Sequence, residues 1–187
     1  AYWEGKATGN PAHPQVGVCG QGLARQGRDF DTLARALSQH ARVICPDVVG
    51  RGQSDWLADP MGYAIPFYVS HMVTLLARLD VDTVDWVGTS MGGLIGLGVA
   101  SLKGSPIRRL VLNDVGPAIE PASLQRIGAY LGQPGRWATL DEAAVSALGF
   151  EQLVFMRMAQ HTAGDGDADA AGTWRDSPQR LAHWLLS

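Results

Sequence analysis

The sequence predicts an α/β protein built on a doubly wound, mostly parallel sheet with helices on both faces. Three observations carry that expectation. Short apolar runs alternate with segments of helical period as far as Asn113, the pitch of strand–helix–strand crossovers. The runs are nearly continuous in apolar residues rather than alternating, as strands covered on both faces must be. And one join, Val87–Gly93, passes from strand to helix with no loop between.

Taken in order, Val16–Cys19 is the first strand. "DFDTLARALSQH" places Phe30, Leu33 and Leu37 on one helical face, with Asp29 or Asp31 available to cap its start. Ala41–Cys45 is a second strand, stopped by Pro46. The turn-rich "PDVVGRGQSD" follows. Ile65–Leu79 reads as a helix with Pro66 in its first turn and an apolar stripe of Val69, Met72, Val73, Leu76 and Leu79. Thr83–Val87 is a strand, "MGGLIGLGVASL" a helix, and Arg109–Asn113 a strand. After Pro117 the pattern turns helical: Glu120–Leu131, then Thr139–Gln160, opened by a capping box of Thr139 and Glu142. "AGDGDADAAGT" is a low-complexity link, and Ser177–Leu186 a short helix with Ser177 as cap and Pro178 in its first position. The division expected is residues 1–117 as core and 118–187 as a helical, then irregular, remainder.

Composition narrows the function. At 187 residues, 46% hydrophobic and 18% charged, the chain is ordinary for a soluble globular domain. A net charge of -3 shows none of the basic excess of a nucleic-acid binder, so no nucleic-acid partner is expected. The uncharged stretch Trp86–Leu102 holds five glycines and reads as strand plus helix, so no membrane span is expected. Cys19 and Cys45 sit in apolar runs and read as buried thiols of a reducing cytoplasm. No His-Glu-x-x-His or paired Cys-x-x-Cys occurs, so neither a metal nor an organic cofactor is expected.

"VGTSMGG" sets Ser90 between Gly88 and Gly92 at the spacing Gly-x-Ser-x-Gly. So abrupt a turn strains the backbone at its apex, and the residues two before and two after must be small because strand and helix nearly touch. Ser90 then stands above the carboxyl edge of the sheet, beside the first N–H groups of the helix, as a nucleophile would. The bland alternative is a glycine-rich turn with an incidental serine. A phosphate loop is excluded, because neither Gly-x-x-x-x-Gly-Lys-Ser/Thr nor Gly-x-Gly-x-x-Gly follows any strand.

With "VICPDVVGRGQSD" upstream and "RRLVLNDVGP" downstream, the chain resembles the α/β-hydrolase superfamily, in its bacterial esterase, lactonase and carbon–carbon-bond hydrolase branch. The resemblance spans roughly Val16 to Ala147. It implies a helical lid after the strand ending at Asn113, and an oxyanion hole from the N–H groups of Met91 and Leu23. Gln21 stands where the family has His, a departure that leaves the backbone donor of Leu23 possible but its loop's orientation open. The glycines of "DVVGRGQSD" are expected to serve backbone geometry, with Arg51 paired locally to Asp47 or Asp55.

A serine needs a base, and the family order is Ser, acid, then a late His. Of five histidines, His13 and His40 precede Ser90, His71 lies off the apolar stripe of its helix and faces solvent, His161 follows a helix, and His183 sits in a helical context. None occupies the loop after a late strand, so no base is assigned, although His183 fits best by chain order. Asp114, just past the strand ending at Asn113, is the candidate acid; the alternative is that it braces the turn into Gly116 and Pro117. Late strands are not found, and the chain reads as a hydrolase truncated or altered at its C-terminus. The expected activity is a serine hydrolase acting on a small-molecule carboxyl ester, lactone, thioester or C–C substrate through an acyl-enzyme. The competing expectation is a catalytically silent scaffold or fragment. The sequence assigns no oligomeric state.

Overall fold

The computed structural model describes residues 1–8, 15–116, 118–130 and 138. Five strands form one sheet: β1 (Tyr2–Gly5), β2 (Gln15–Gly20), β3 (Ala41–Pro46), β4 (Val84–Thr89) and β5 (Ile107–Asn113). Their order is β1-β3-β2-β4-β5. β3, β2, β4 and β5 run parallel, as expected, while β1 joins β3 antiparallel. β1 is a strand that the sequence reading missed. It is four residues long, with exposed and half-buried positions alternating, and so gives no apolar run. The residues up to Ala118 form one compact unit, and a second begins at Ile119.

Strand parity explains why helices cover both faces. Along β2, Val16 and Val18 point to one face and Cys19 to the other; on β4, Val84 and Trp86 oppose Val87. The first set packs beneath α2 (Ile65–Leu79) and α3 (Met91–Ala100) with Met72, Leu76, Ile95 and Val99. The second packs beneath α1 (Asp31–Leu37) with Val43, Cys45 and Leu37. Because each strand is covered twice, its sequence is apolar throughout. Cys19 and Cys45 are buried free thiols on this second face, and the hydrogen bond with the neighbouring Cys45 thiol, then burial, push the Cys19 pKa up, which disfavours its thiolate.

Three local expectations are corrected. α1 is capped by neither aspartate: its N-cap is Phe30, and a 3-10 turn at Gly27–Phe30 leads into it. Asp29 pairs instead with Arg25 at 2.5 Å, and Asp31 accepts from Arg28 Nε at 2.8 Å. On α2, Val73 is exposed, and Tyr68 takes the buried place one turn earlier in the stripe. His71 is half-buried rather than in solvent, its ring edge-on to Phe67 at a centroid distance of 4.5 Å.

The helix expected at Glu120–Leu131 is α4 (Pro121–Tyr130), in the second unit. The later helices, the Thr139 and Glu142 capping box, the acidic link and the Ser177 cap lie outside the described residues, as do His13, His161 and His183. Among the described residues no helix is long and apolar enough to cross a membrane, and no cluster of His, Cys, Asp or Glu could hold a metal ion.

Candidate active site

The turn between β4 and α3 has the geometry its glycines require. Ser90 sits at φ 49°, ψ -113°, a region that side chains rarely adopt and that costs on the order of 1–3 kcal/mol. The strain is held by three backbone bonds. Ser90 N–H donates to the Asn113 carbonyl at 2.9 Å, and the Ser90 carbonyl accepts from Gly93 N–H (2.9 Å) and Leu94 N–H (3.1 Å). The first bond carries the parallel β4–β5 pairing past the end of the strands. Asn113 Nδ2 adds a bond to Thr89 Oγ1 at 3.1 Å. From within the core, the indole of Trp86, 1% exposed, donates to the Gly92 carbonyl at 3.0 Å and pins the first turn of α3.

The two glycines have different neighbours. A Cβ on Gly88 would press into the backbone of Gly92 and Gly93, on the helix that follows. A Cβ on Gly92 would collide with the carbonyl of Gly20, at the end of β2. So Gly88 permits the turn itself, and Gly92 permits the turn to lie against the neighbouring strand. The register pairs Gly20 with Gly88, which brings the loop Gln21–Gly22–Leu23 level with the turn. Gly22 lies against the Thr89 carbonyl, where an added Cβ would stand 4.0 Å away. Among the described residues neither Met91 N–H nor Leu23 N–H has an acceptor.

Gln21 takes a structural part where a histidine was expected. It is 1% exposed, and with its amide oriented to suit its neighbours it donates to the Pro46 carbonyl (2.5 Å) and accepts from Val48 N–H (2.9 Å). It thereby ties the loop after β2 to the loop after β3. Asp47 organises that second loop: its buried carboxylate accepts from Gly27 N–H at 2.7 Å and Gln53 N–H at 3.0 Å. Gly52, at φ 54°, faces this carboxylate where a side chain would be, so the glycines of the loop do serve its backbone.

Arg51 pairs with neither Asp47 nor Asp55, against expectation. Its Nε donates to the Leu23 carbonyl at 3.0 Å, and its Nη1 to the Val49 carbonyl at 2.9 Å and Tyr68 Oη at 3.0 Å. No local signal could have revealed a bond to a residue 28 positions earlier. Beside it opens a cavity of about 740 Å³, lined by Leu23, Arg51, Trp56, Tyr63 and Tyr68 among others. Leu23 lines it and Ser90 does not.

Asp114 follows the carbonyl that holds Ser90, so the chain sets it beside the turn, at φ 61°. Asp114 as a whole is exposed, its carboxyl has no hydrogen-bond partner among the described residues, and partial desolvation raises its pKa above the ordinary 3.8. A raised folded-state pKa favours the neutral form. The stability this group contributes is therefore complete below about pH 3.8 and is lost as pH rises through the raised value. Asp114→Asn keeps a side chain that tolerates positive φ and removes the charge. It is expected to raise Tm at neutral pH and to leave it unchanged in acid below that range, as thermal melts at the two pH values would register. An equal effect at both would remove desolvation as the cause.

Two histidines, His40 and His71, lie among the described residues. His40 precedes β3 at the opposite edge of the parallel sheet, more than about 20 Å from Ser90 along the strands. His71 is engaged by Phe67 on α2. No hydrogen bond joins either of them to Ser90.

The chain has counterparts among known proteins. The family model described as the alpha/beta hydrolase fold matches residues 18–167. The chain belongs to the α/β-hydrolase family. It is 57% identical over 154 residues to the 3-hydroxybutyrate-oligomer hydrolase of Cupriavidus necator, a match covering 82% of this chain and 51% of that protein. It is 41% identical over 86 residues to the 2-hydroxy-6-oxo-2,4-heptadienoate hydrolase of Pseudomonas putida, covering 45% of this chain and 30% of the relative. Among solved structures it is similar to an alpha/beta hydrolase from Novosphingobium aromaticivorans, with a TM-score of 0.64 and 39% identity over 71% of this chain and 45% of the other. This α/β-hydrolase chain thus spans about half the length of the relative it matches over most of its own residues.

Proposed function

We propose that this α/β-hydrolase chain carries the nucleophile and oxyanion elements of a serine hydrolase acting on short esters of a hydroxy acid, of the kind named for its Cupriavidus relative. The observation that carries the reading is the strained, half-buried Ser90 at the carboxyl edge of the sheet. Ser90 Oγ attacks the ester carbonyl carbon, and the carbonyl π pair moves onto oxygen, where the N–H groups of Met91 and Leu23 receive the charge. Collapse expels the alcohol and leaves an acyl-serine, which water then cleaves. The Ser90 proton passes to a base outside the described residues. Asp114 is the acid candidate by position, since it follows the Asn113 carbonyl that accepts from Ser90 N–H. No metal or organic cofactor enters this chemistry.

The second reading, a silent scaffold, is favoured by one observation: neither described histidine is bonded to Ser90. A fluorophosphonate probe separates the two. Labelling at Ser90, read by mass spectrometry of the modified peptide, supports the enzyme. A chain that folds and takes up no probe supports the scaffold.

A further inference from the structure

We infer that Arg51 and Tyr68 form a subsite for the carboxylate end of an acid-terminated substrate, in the cavity beside the Gln21–Leu23 loop. This deepens the proposed function and rests on it, since it names the group of the hydroxy-acid ester that the chain would grip away from the scissile bond. The electrostatics of the cavity are the first argument. Of the charged groups lining it, Arg25 and Asp29 cancel as an ion pair at 2.5 Å. Among the described residues Arg51 is left as the uncompensated charge, because its three hydrogen-bond partners are two carbonyls and a phenol, all neutral.

The second argument is donor bookkeeping. A guanidinium carries five N–H bonds. One on Nε and two on Nη1 are taken, so both on Nη2 lack an acceptor among the described residues. Tyr68 Oη accepts from Arg51, and its own proton has no acceptor among the described residues either. Arg51 Nη2 is not a buried orphan, so its donors are open to solvent, and a carboxylate can replace the water they hold. Pre-organisation is the third. The Tyr68 and Tyr63 rings lie 5.2 and 5.8 Å from the guanidinium carbon, and its bonds to Leu23, Val49 and Tyr68 fix its plane. A planar, immobilised cation with two solvent-accessible donors suits a carboxylate better than a neutral ester. Finally, the carbonyl that holds Arg51 belongs to Leu23, whose N–H is the candidate oxyanion donor, so the subsite adjoins the reacting end.

The test uses the dimer of 3-hydroxybutyrate and its methyl ester, which differ only in the terminal carboxylate. Binding of each is measured by calorimetry to the wild-type chain, Ser90→Ala, Arg51→Gln and Tyr68→Phe, with circular dichroism confirming that each variant folds. Wild type and Ser90→Ala are expected to bind the acid roughly tenfold to a hundredfold more tightly than the methyl ester. Arg51→Gln is expected to abolish that preference, and Tyr68→Phe to reduce it. Equal binding of acid and ester by wild type overturns the subsite, as does a preference that survives Arg51→Gln. Should Arg51→Gln not fold, Tyr68→Phe with an unchanged preference overturns it as well. Hydrolysis is read separately: a chain that prefers the acid but cleaves nothing sinks the hydrolase reading alone, and one that binds and cleaves acid and ester alike sinks this subsite alone.

Discussion

Ser90→Ala is expected to remove ester hydrolysis, by about 10⁴-fold or more in kcat, while leaving the fold intact. The fold should survive because the strain at φ 49° lies in the backbone and is maintained by the bonds of residue 90 to Asn113, Gly93 and Leu94, none of which uses the hydroxyl. Substrate binding should survive for the same reason. The loss would therefore appear in kcat rather than in the affinity for the 3-hydroxybutyrate dimer, and labelling by a fluorophosphonate would vanish with it. Activity that persists in Ser90→Ala would show that another group does the chemistry, and the oxyanion assignment of Met91 and Leu23 would fall with the nucleophile.

Gly92→Ala is expected to be the most damaging single methyl at the contact of α3 with the sheet, costing about 3 kcal/mol or more by urea denaturation. The added carbon meets the Gly20 carbonyl, which is backbone at the paired end of β2 and cannot swing aside as a side chain would. Relief requires β2 or α3 to move, and α3 is fixed at this point by the Trp86 indole bond to Gly92. Gly17→Ala is the control. Gly17 lies in the same strand with nothing within 4 Å of its would-be Cβ, and the change is expected to be neutral or to stabilise by about 0.5 kcal/mol. If both substitutions cost the same, these glycines matter only for backbone entropy, and close approach is not the reason for Gly92.

How far the site could be read before the fold was known depends on the range of the interaction involved. Ser90, Gly88, Gly92 and Met91 fall within five consecutive positions. Their geometry follows from a turn that only small neighbours allow, and both the strand before and the helix after announce themselves by period. Leu23 needed more: the register of Gly20 against Gly88 is what brings its loop beside the turn. Asp47 and Gln21 read as a possible ion-pair partner and as a substituted histidine, and both prove to be braces whose partners lie in another loop.

The sequence by itself determined the alternation of elements, the two-faced burial of β2, β3 and β4, and the strained turn at Ser90, because each is set by steric and periodic rules acting within a few residues. Only the tertiary structure decided that β1 pairs antiparallel with β3, that Arg51 reaches Leu23 instead of Asp47 or Asp55, and that Gln21 spans to Pro46 and Val48. Those outcomes depend on which loops the order β3-β2-β4-β5 sets side by side. Proximity of that kind is created by the packing of distant strands, and no short stretch of chain carries it.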